Sequence, residues 1–261
     1  MHPLTILYRD DDVVAVHKPP GVLVHRTRID AGDGRALLQL LRDQLGVPVH
    51  PAHRLDKGTS GVVLFALHAD AARQLNAALR DGRAQKTYHA VVRGWVPERV
   101  DVDHPLRDRP DRLDRRQVVE VRPAFTTVCC VARAELAHAV GRYATARYSL
   151  VECQPRSGRR HQIRRHLKHL RHPIIGDANY GDGAHNRFFR DSLGIARLLL
   201  AASAVRLPHP RSGAMLELQA PLDESFRAAL TWPEWHVVEA CGALLSAAFM
   251  AAAARRIAPL L

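Results

Sequence analysis

Six successive apolar residues, Val62 to Leu67, constrain the fold of this chain more than any other feature. A half-exposed strand alternates apolar with polar residues, so an unbroken run of this length suits a strand covered on both faces. Leu37, Leu38, Leu41 and Leu45 recur at helical spacing between Gly34 and Gly46, which predicts a helix that stops at the glycine. A second helix is expected from a cap at Asp70 to about Arg80. Leu4 to Tyr8 and Val13 to Val16, split by Asp10-Asp11-Asp12, read as a hairpin. Further strands are expected at Lys86 to Arg93, Gln117 to Val121, Thr126 to Ala132 and Tyr143 to Cys153. Pro97 to Arg116, rich in Asp, Arg and Pro, reads as a long surface loop. Strands with interspersed single helices argue for an α+β fold with a largely antiparallel sheet, not a βαβ repeat.

Charge narrows the partner. Lys and Arg total 38 against 26 acids, a formal net charge of +12. A polyanion explains this economically, and a basic composition with Arg in place of Lys is the alternative. The four cysteines lack the Cys-x-x-Cys spacing of a zinc site, and a reducing cytoplasm is the expected compartment. No export signal opens the chain, and Arg255 and Arg256 interrupt the Ala-rich run before spanning length, so no membrane anchor is expected.

Two segments carry chemistry. In His53-Arg54-Leu55-Asp56-Lys57-Gly58-Thr59-Ser60-Gly61 a carboxylate stands just before the buried strand, which could hold it still at a cleft; Asp followed by Gly-Thr-Ser is equally good turn chemistry. Between Gly158 and Pro173 a helix of about three turns is expected, with Ile163, Leu167 and Leu170 as its apolar stripe. His161, Arg164, Arg165, Lys168 and His172 fall on an adjoining arc. That arc is either a solvated charged face or a surface for backbone phosphates, which would relieve the crowding of like charges. Four histidines in this stretch spread around the helix among six cations, so no metal is expected there. A magnesium-dependent nuclease would need clustered carboxylates, and Asp10 to Asp12 and Asp101 to Asp103 sit in apparent turns.

Taken in order, Lys18-Pro19-Pro20-Gly21-Val22-Leu23-Val24-His25, the run around Asp56, Lys86-Thr87-Tyr88, Gly158-Arg159-Arg160-His161-Gln162-Ile163-Arg164 and His172-Pro173-Ile174-Ile175-Gly176-Asp177 resemble the motifs of the RluA-type RNA pseudouridine synthases. The resemblance implies that family's catalytic fold over residues 1–238, a central mixed sheet with flanking helices and an active-site cleft. It implies no small N-terminal RNA-binding domain and leaves 239–261 as an Ala-rich tail. Val24-His25-Arg26 with Asp30, Arg93-Gly94-Trp95, Gly141-Arg142-Tyr143 and the basic helix are similar to the TruC branch, which modifies uridine 65 of certain transfer RNAs.

By that resemblance Asp56 is the catalytic carboxylate, Arg164 orients it and keeps it ionised, and Tyr88 stacks on the base or relays a proton. Leu55 and Ile163 form apolar walls, and Arg54 fills the space that the flipped nucleotide vacates. Lys18, His161, Arg165 and Lys168 meet the RNA. Neither cofactor nor metal is implied; the partner is RNA, transfer RNA before ribosomal RNA, and a monomer is expected. A non-catalytic RNA-binding protein is the rival, which would not need the Asp, Tyr and Arg together. One departure is Ala201, where the family usually has His in a Leu-His-Ala run.

Overall fold

The computed structural model describes residues 3–25, 34–107 and 120–238. They fall into two units, one of 1–88 with 200–223, the other of 89–199 with the chain from 224. Arg26, Asp30, Gln117 and the Ala-rich tail lie outside the described residues.

In the first unit β1 (Ile6–Arg9) and β2 (Val13–Lys18) form the expected hairpin. Its turn is held by Asp10, whose Oδ1 accepts from the backbone N–H groups of Asp12 and Val13, each at 2.8 Å. Then come α1 (Leu37–Leu45), β3 (His50–Pro51), β4 (Ser60–Ala66), α2 (Ala69–Arg80) and β5 (Gln85–Arg93), the last running on into the second unit. The start of α2 corrects an expectation. Its cap is His68, whose Nδ1 accepts from the Ala71 N–H at 3.3 Å, while Asp70 sits inside the first turn, paired with Arg73. Capping needs an acceptor on the residue before the helix, and the imidazole supplies it; an acid one turn in still favours the positive end of the helix dipole.

The second unit contributes β6 (Arg99–Asp103), β7 (Leu106–Arg107), β8 (Val121–Arg122), β9 (Phe125–Leu136), β10 (Ala146–Pro155), α3 (Gln162–His169) and α4 (Gly183–Leu193). The chain returns to the first unit with β11 (Leu200–Pro208) and β12 (Met215–Gln219). It re-enters the second with α5 (Glu224–Ala228) and β13 (His236–Val237). The segment read as a loop from Pro97 therefore carries two strands. β6 pairs antiparallel with β9 along its whole length, Arg99 opposite Cys129 to Asp103 opposite Phe125.

In the first unit the strand order is β1-β2-β4-β11, with β11 parallel to β4 and antiparallel to β12. In the second the order is β5-β10-β9-β13, and β9 pairs antiparallel with β10, β6 and β13. The result is an α+β fold whose sheet is mixed and largely antiparallel.

All seven residues of β4 are buried, for the reason its sequence suggests. Val62, Leu64 and Ala66 pack with Val13, Ala15 and Leu75 of α2 in one layer. Val63 and Phe65 pack with Val14, Val16, Leu55 and Leu37 and Leu41 of α1 in the other. Covered on both sides, the strand has no face on which a polar residue would be favoured. Its second residue is Gly61 by necessity: φ is 115°, and a Cβ there would stand 2.0 Å from the carbonyl oxygen of Ala202 on β11. The second unit buries an aromatic cluster instead. Tyr148 is fully buried with its hydroxyl 2.9 Å from His185 Nδ1, and Phe189 and Trp232 pack on its ring.

Candidate active site

Asp56 stands in the turn that delivers the chain to β4, where its own carbonyl accepts from the Thr59 N–H at 3.0 Å. The turn is fixed from beneath by Lys18. This side chain is fully buried, and its ammonium donates to the carbonyl oxygens of Pro19 at 2.9 Å, Lys57 at 3.0 Å and Thr59 at 2.6 Å. Lys57 O also accepts from the Gly21 N–H at 2.8 Å, so the Lys18-Pro19-Pro20-Gly21 turn and the Asp56 turn are bound together. A buried ammonium is tolerated only where its donors are met. The expectation that Lys18 meets RNA phosphates is corrected accordingly: it is a strut of the Asp56 turn.

Leu55 is 7% exposed and lies in the same core layer as Phe65, against which Tyr88 also packs. Burial raises the Tyr88 pKa, and the charge of Asp56 raises it further. Tyr88 is therefore a neutral phenol across the physiological range, able to donate a proton but not present as phenolate. Arg54 is exposed and Asp56 half-buried. His53, which sequence reasoning gave no role, accepts from the Leu64 N–H through Nε2 at 3.2 Å and ties the motif to β4. Burial, and then the charge of Lys86, push its pKa down to about 4, so the ring is neutral and Nε2 unprotonated. Ala201, where the family usually has His, is buried on β11 as the register partner of Ser60.

In the second unit, α3 is shorter than the sequence suggests, eight residues from Gln162. Its start is anchored by the buried Gln162, whose Nε2 donates to Phe125 O at 3.0 Å and whose Oε1 accepts from the Arg159 N–H at 3.1 Å. Ile163 and Leu167 are buried as the stripe predicts. Arg164 is buried too, and this corrects its place on a cation-presenting arc. Its Nε and Nη2 donate to the two carboxylate oxygens of Asp177, each at 2.8 Å, and its guanidinium lies 5.1 Å from the Tyr180 ring centroid. Asp177 Oδ1 also accepts from the backbone N–H groups of Asn179 at 2.9 Å and Tyr180 at 3.0 Å. Burial alone would raise the Asp177 pKa; the bonds and charge of Arg164, with these two N–H groups, outweigh it and hold the carboxyl below its usual range.

His166 is fully buried, with Nε2 3.0 Å from the carbonyl of His104 and Nδ1 2.9 Å from the Thr126 hydroxyl. A carbonyl only accepts, so Nε2 carries the proton and Nδ1 accepts from Thr126. The histidines of this stretch thus serve packing: His169 stacks on His104 at 3.9 Å, and His172 Nδ1 donates to Arg93 O at 2.9 Å. What α3 offers to solvent is Lys168 and His169, with Arg165 half-buried; His161, half-buried at the N-cap, lies 3.2 Å from the Tyr180 hydroxyl.

The first unit thus brings together a braced carboxylate, a neutral phenol and an apolar wall. The second holds a buried, two-point-anchored guanidinium on a cationic helix. A carboxylate so fixed can act as nucleophile or base toward a substrate that is itself polyanionic.

Residues 12–169, more than half of the chain, match the family described as RNA pseudouridylate synthase. The tRNA pseudouridine synthase C of Vibrio cholerae is 45% identical over 235 residues, which cover 89% of this chain and 96% of that protein. The tRNA pseudouridine synthase C of Salmonella typhimurium is also 45% identical, over 89% of this chain and 90% of its own. Among solved structures, human RNA pseudouridylate synthase domain containing 1 superposes with a TM-score of 0.68 at 26% identity, covering 98% of each chain.

Proposed function

The chain belongs to the RNA pseudouridylate synthase family, and on that premise we propose that it isomerises one uridine of transfer RNA to pseudouridine, at position 65. The observation that carries the choice of RNA is the 45% identity to the Vibrio cholerae enzyme over nearly the full length of both chains.

The reaction breaks an N-glycosidic bond, turns the freed base and forms a carbon-carbon bond before either fragment escapes. Asp56 supplies the reacting carboxylate, its position set by the Lys18 brace. Tyr88, neutral at physiological pH, stacks on the base or passes it a proton. Leu55 and Ile163 are the residues that the family resemblance assigns to limiting water. Arg164 is the guanidinium that the family resemblance assigns to keeping the carboxylate ionised, with Asp177 holding its fork in one rotamer. The uridine must first leave its stack at a cost of a few kcal/mol, which protein contacts offset; Arg54, exposed beside the carboxylate, would fill the gap.

Mapping pseudouridine in tRNA and rRNA from cells with and without this protein tests the reading. Loss at one tRNA position is expected, and loss confined to rRNA rejects it. The cationic helix gives a separate expectation. Arg165→Ala with Lys168→Ala should weaken tRNA binding and lower the slope of log K against log salt by about 1 to 2, since each phosphate contact contributes roughly 0.7 to 0.9. An unchanged salt slope would remove these residues from the RNA interface.

A further inference from the structure

Trp95 and Tyr143 in the second unit are 41% and 50% exposed, although large aromatic side chains gain most from burial. Each is covered on one face by a guanidinium. Arg147 Cζ lies 4.2 Å from the Trp95 ring centroid and Arg142 Cζ 4.9 Å from that of Tyr143. These groups are held in place. Trp95 Nε1 donates to Ala134 O at 3.2 Å, Arg147 Nε to Glu135 at 3.1 Å, and Arg142 Nη2 to the Tyr143 hydroxyl at 2.7 Å.

Beside them opens a cavity of about 430 Å³ lined by Arg93, Gly94, Tyr143, Arg147 and His185, with Ala144 to Ala146 as its small-residue wall. That volume falls near the lower end of small-ligand sites. Gly94 shapes it: φ is 83°, a Cβ would stand 3.0 Å from His172 Nδ1, and its N–H donates to Arg147 O at 2.7 Å. None of the candidate catalytic residues lines this cavity.

We propose that it binds one unpaired nucleotide of the RNA substrate, other than the reacting uridine, by stacking its base on the aromatic and guanidinium faces. Planar cations over exposed rings form a layered surface to which a nucleobase adds one more layer. Phosphate attraction plays the lesser part, because Asp182 pairs with Arg93 at 2.9 Å and Glu135 with Arg147, leaving Arg142 as the single excess cation among these five side chains. The assignment rests on the RNA-modifying reading above and adds to it a determinant of which RNA is accepted.

Equilibrium binding and steady-state kinetics with an unmodified tRNA transcript test this. Trp95→Ala with Tyr143→Ala should raise Kd and KM about tenfold or more, with the salt slope of binding kept, whereas the Arg165 and Lys168 variant lowers that slope. Trp95→Phe keeps a stacking face and should retain most of the affinity. Should the double variant melt below the wild type, Tyr143→Ala alone, on an exposed turn, carries the comparison, with an expected rise of several-fold. Unchanged Kd and KM in a folded variant overturn the proposal and turn this surface over to a protein partner. A wild type that binds the transcript yet makes no pseudouridine in it would defeat the functional reading, while the binding comparison still decides this one.

Discussion

Asp56→Ala is expected to abolish pseudouridine formation, by at least about 10⁴-fold, equivalent to about 5 kcal/mol of barrier, while tRNA binding stays within a few-fold of wild type. The separation follows from how the turn is built. Its shape comes from the Lys18 ammonium on three carbonyls and from the Thr59 N–H on Asp56 O, none of which involves the Asp56 side chain. Removing the carboxylate therefore leaves these four bonds in place. Asp56→Asn, which keeps size and loses charge, should be equally inactive, since every route open to the carboxylate needs its ionised form. Single-turnover conversion of a tRNA transcript at saturating enzyme reads this directly. Turnover by Asp56→Ala near the wild-type rate would exclude Asp56 as the reacting group.

The second large effect is on stability. Asp177→Ala should cost about 3 to 5 kcal/mol, because it strands the buried guanidinium of Arg164 without its two-point partner. Replacing both residues by apolar ones of similar volume, Arg164→Met with Asp177→Leu, should recover most of that loss in chemical denaturation yet leave the enzyme inactive. The pair then separates folding from catalysis within one contact. The pH dependence has a fixed sign. Asp177 is held below the usual carboxylate range, so its contribution is present above the unfolded value and is lost as pH falls through the lowered folded one. An Asp177→Ala variant that unfolds at the wild-type denaturant concentration would show that the pair adds nothing.

The parts of this architecture that depend on local periodicity are legible in the sequence, and those that depend on distant partners are not. Val62 to Leu67 announces a two-face-covered strand because burial on both sides removes every reason for alternation. The helix at Leu37–Leu45 follows from leucine spacing alone. By contrast β6 hides in a segment rich in Asp and Arg, since only Val100 and Val102 turn toward protein while Arg99, Asp101 and Asp103 are exposed. Two alternating valines were its whole signal. Arg164 looks like one more cation on a basic helix until Asp177, beyond Pro173 and off the helix, supplies its partner. Lys18 looks like an RNA-binding lysine until its depth is seen. The role proposed for Asp56 rests on the order of several motifs, because taken alone its run is ordinary turn chemistry.

The brace beneath Asp56 sets which substitutions this motif can absorb over time. Lys18 grips main-chain carbonyls, and every residue type carries one. The side chain of Lys57, which is exposed, can therefore drift with little effect on the grip, whereas position 18 must keep a buried cation whose donors reach three oxygens. Tolerance to change is thus distributed by atom type: wide where the scaffold is read through its backbone, and narrow at the single side chain that reads it.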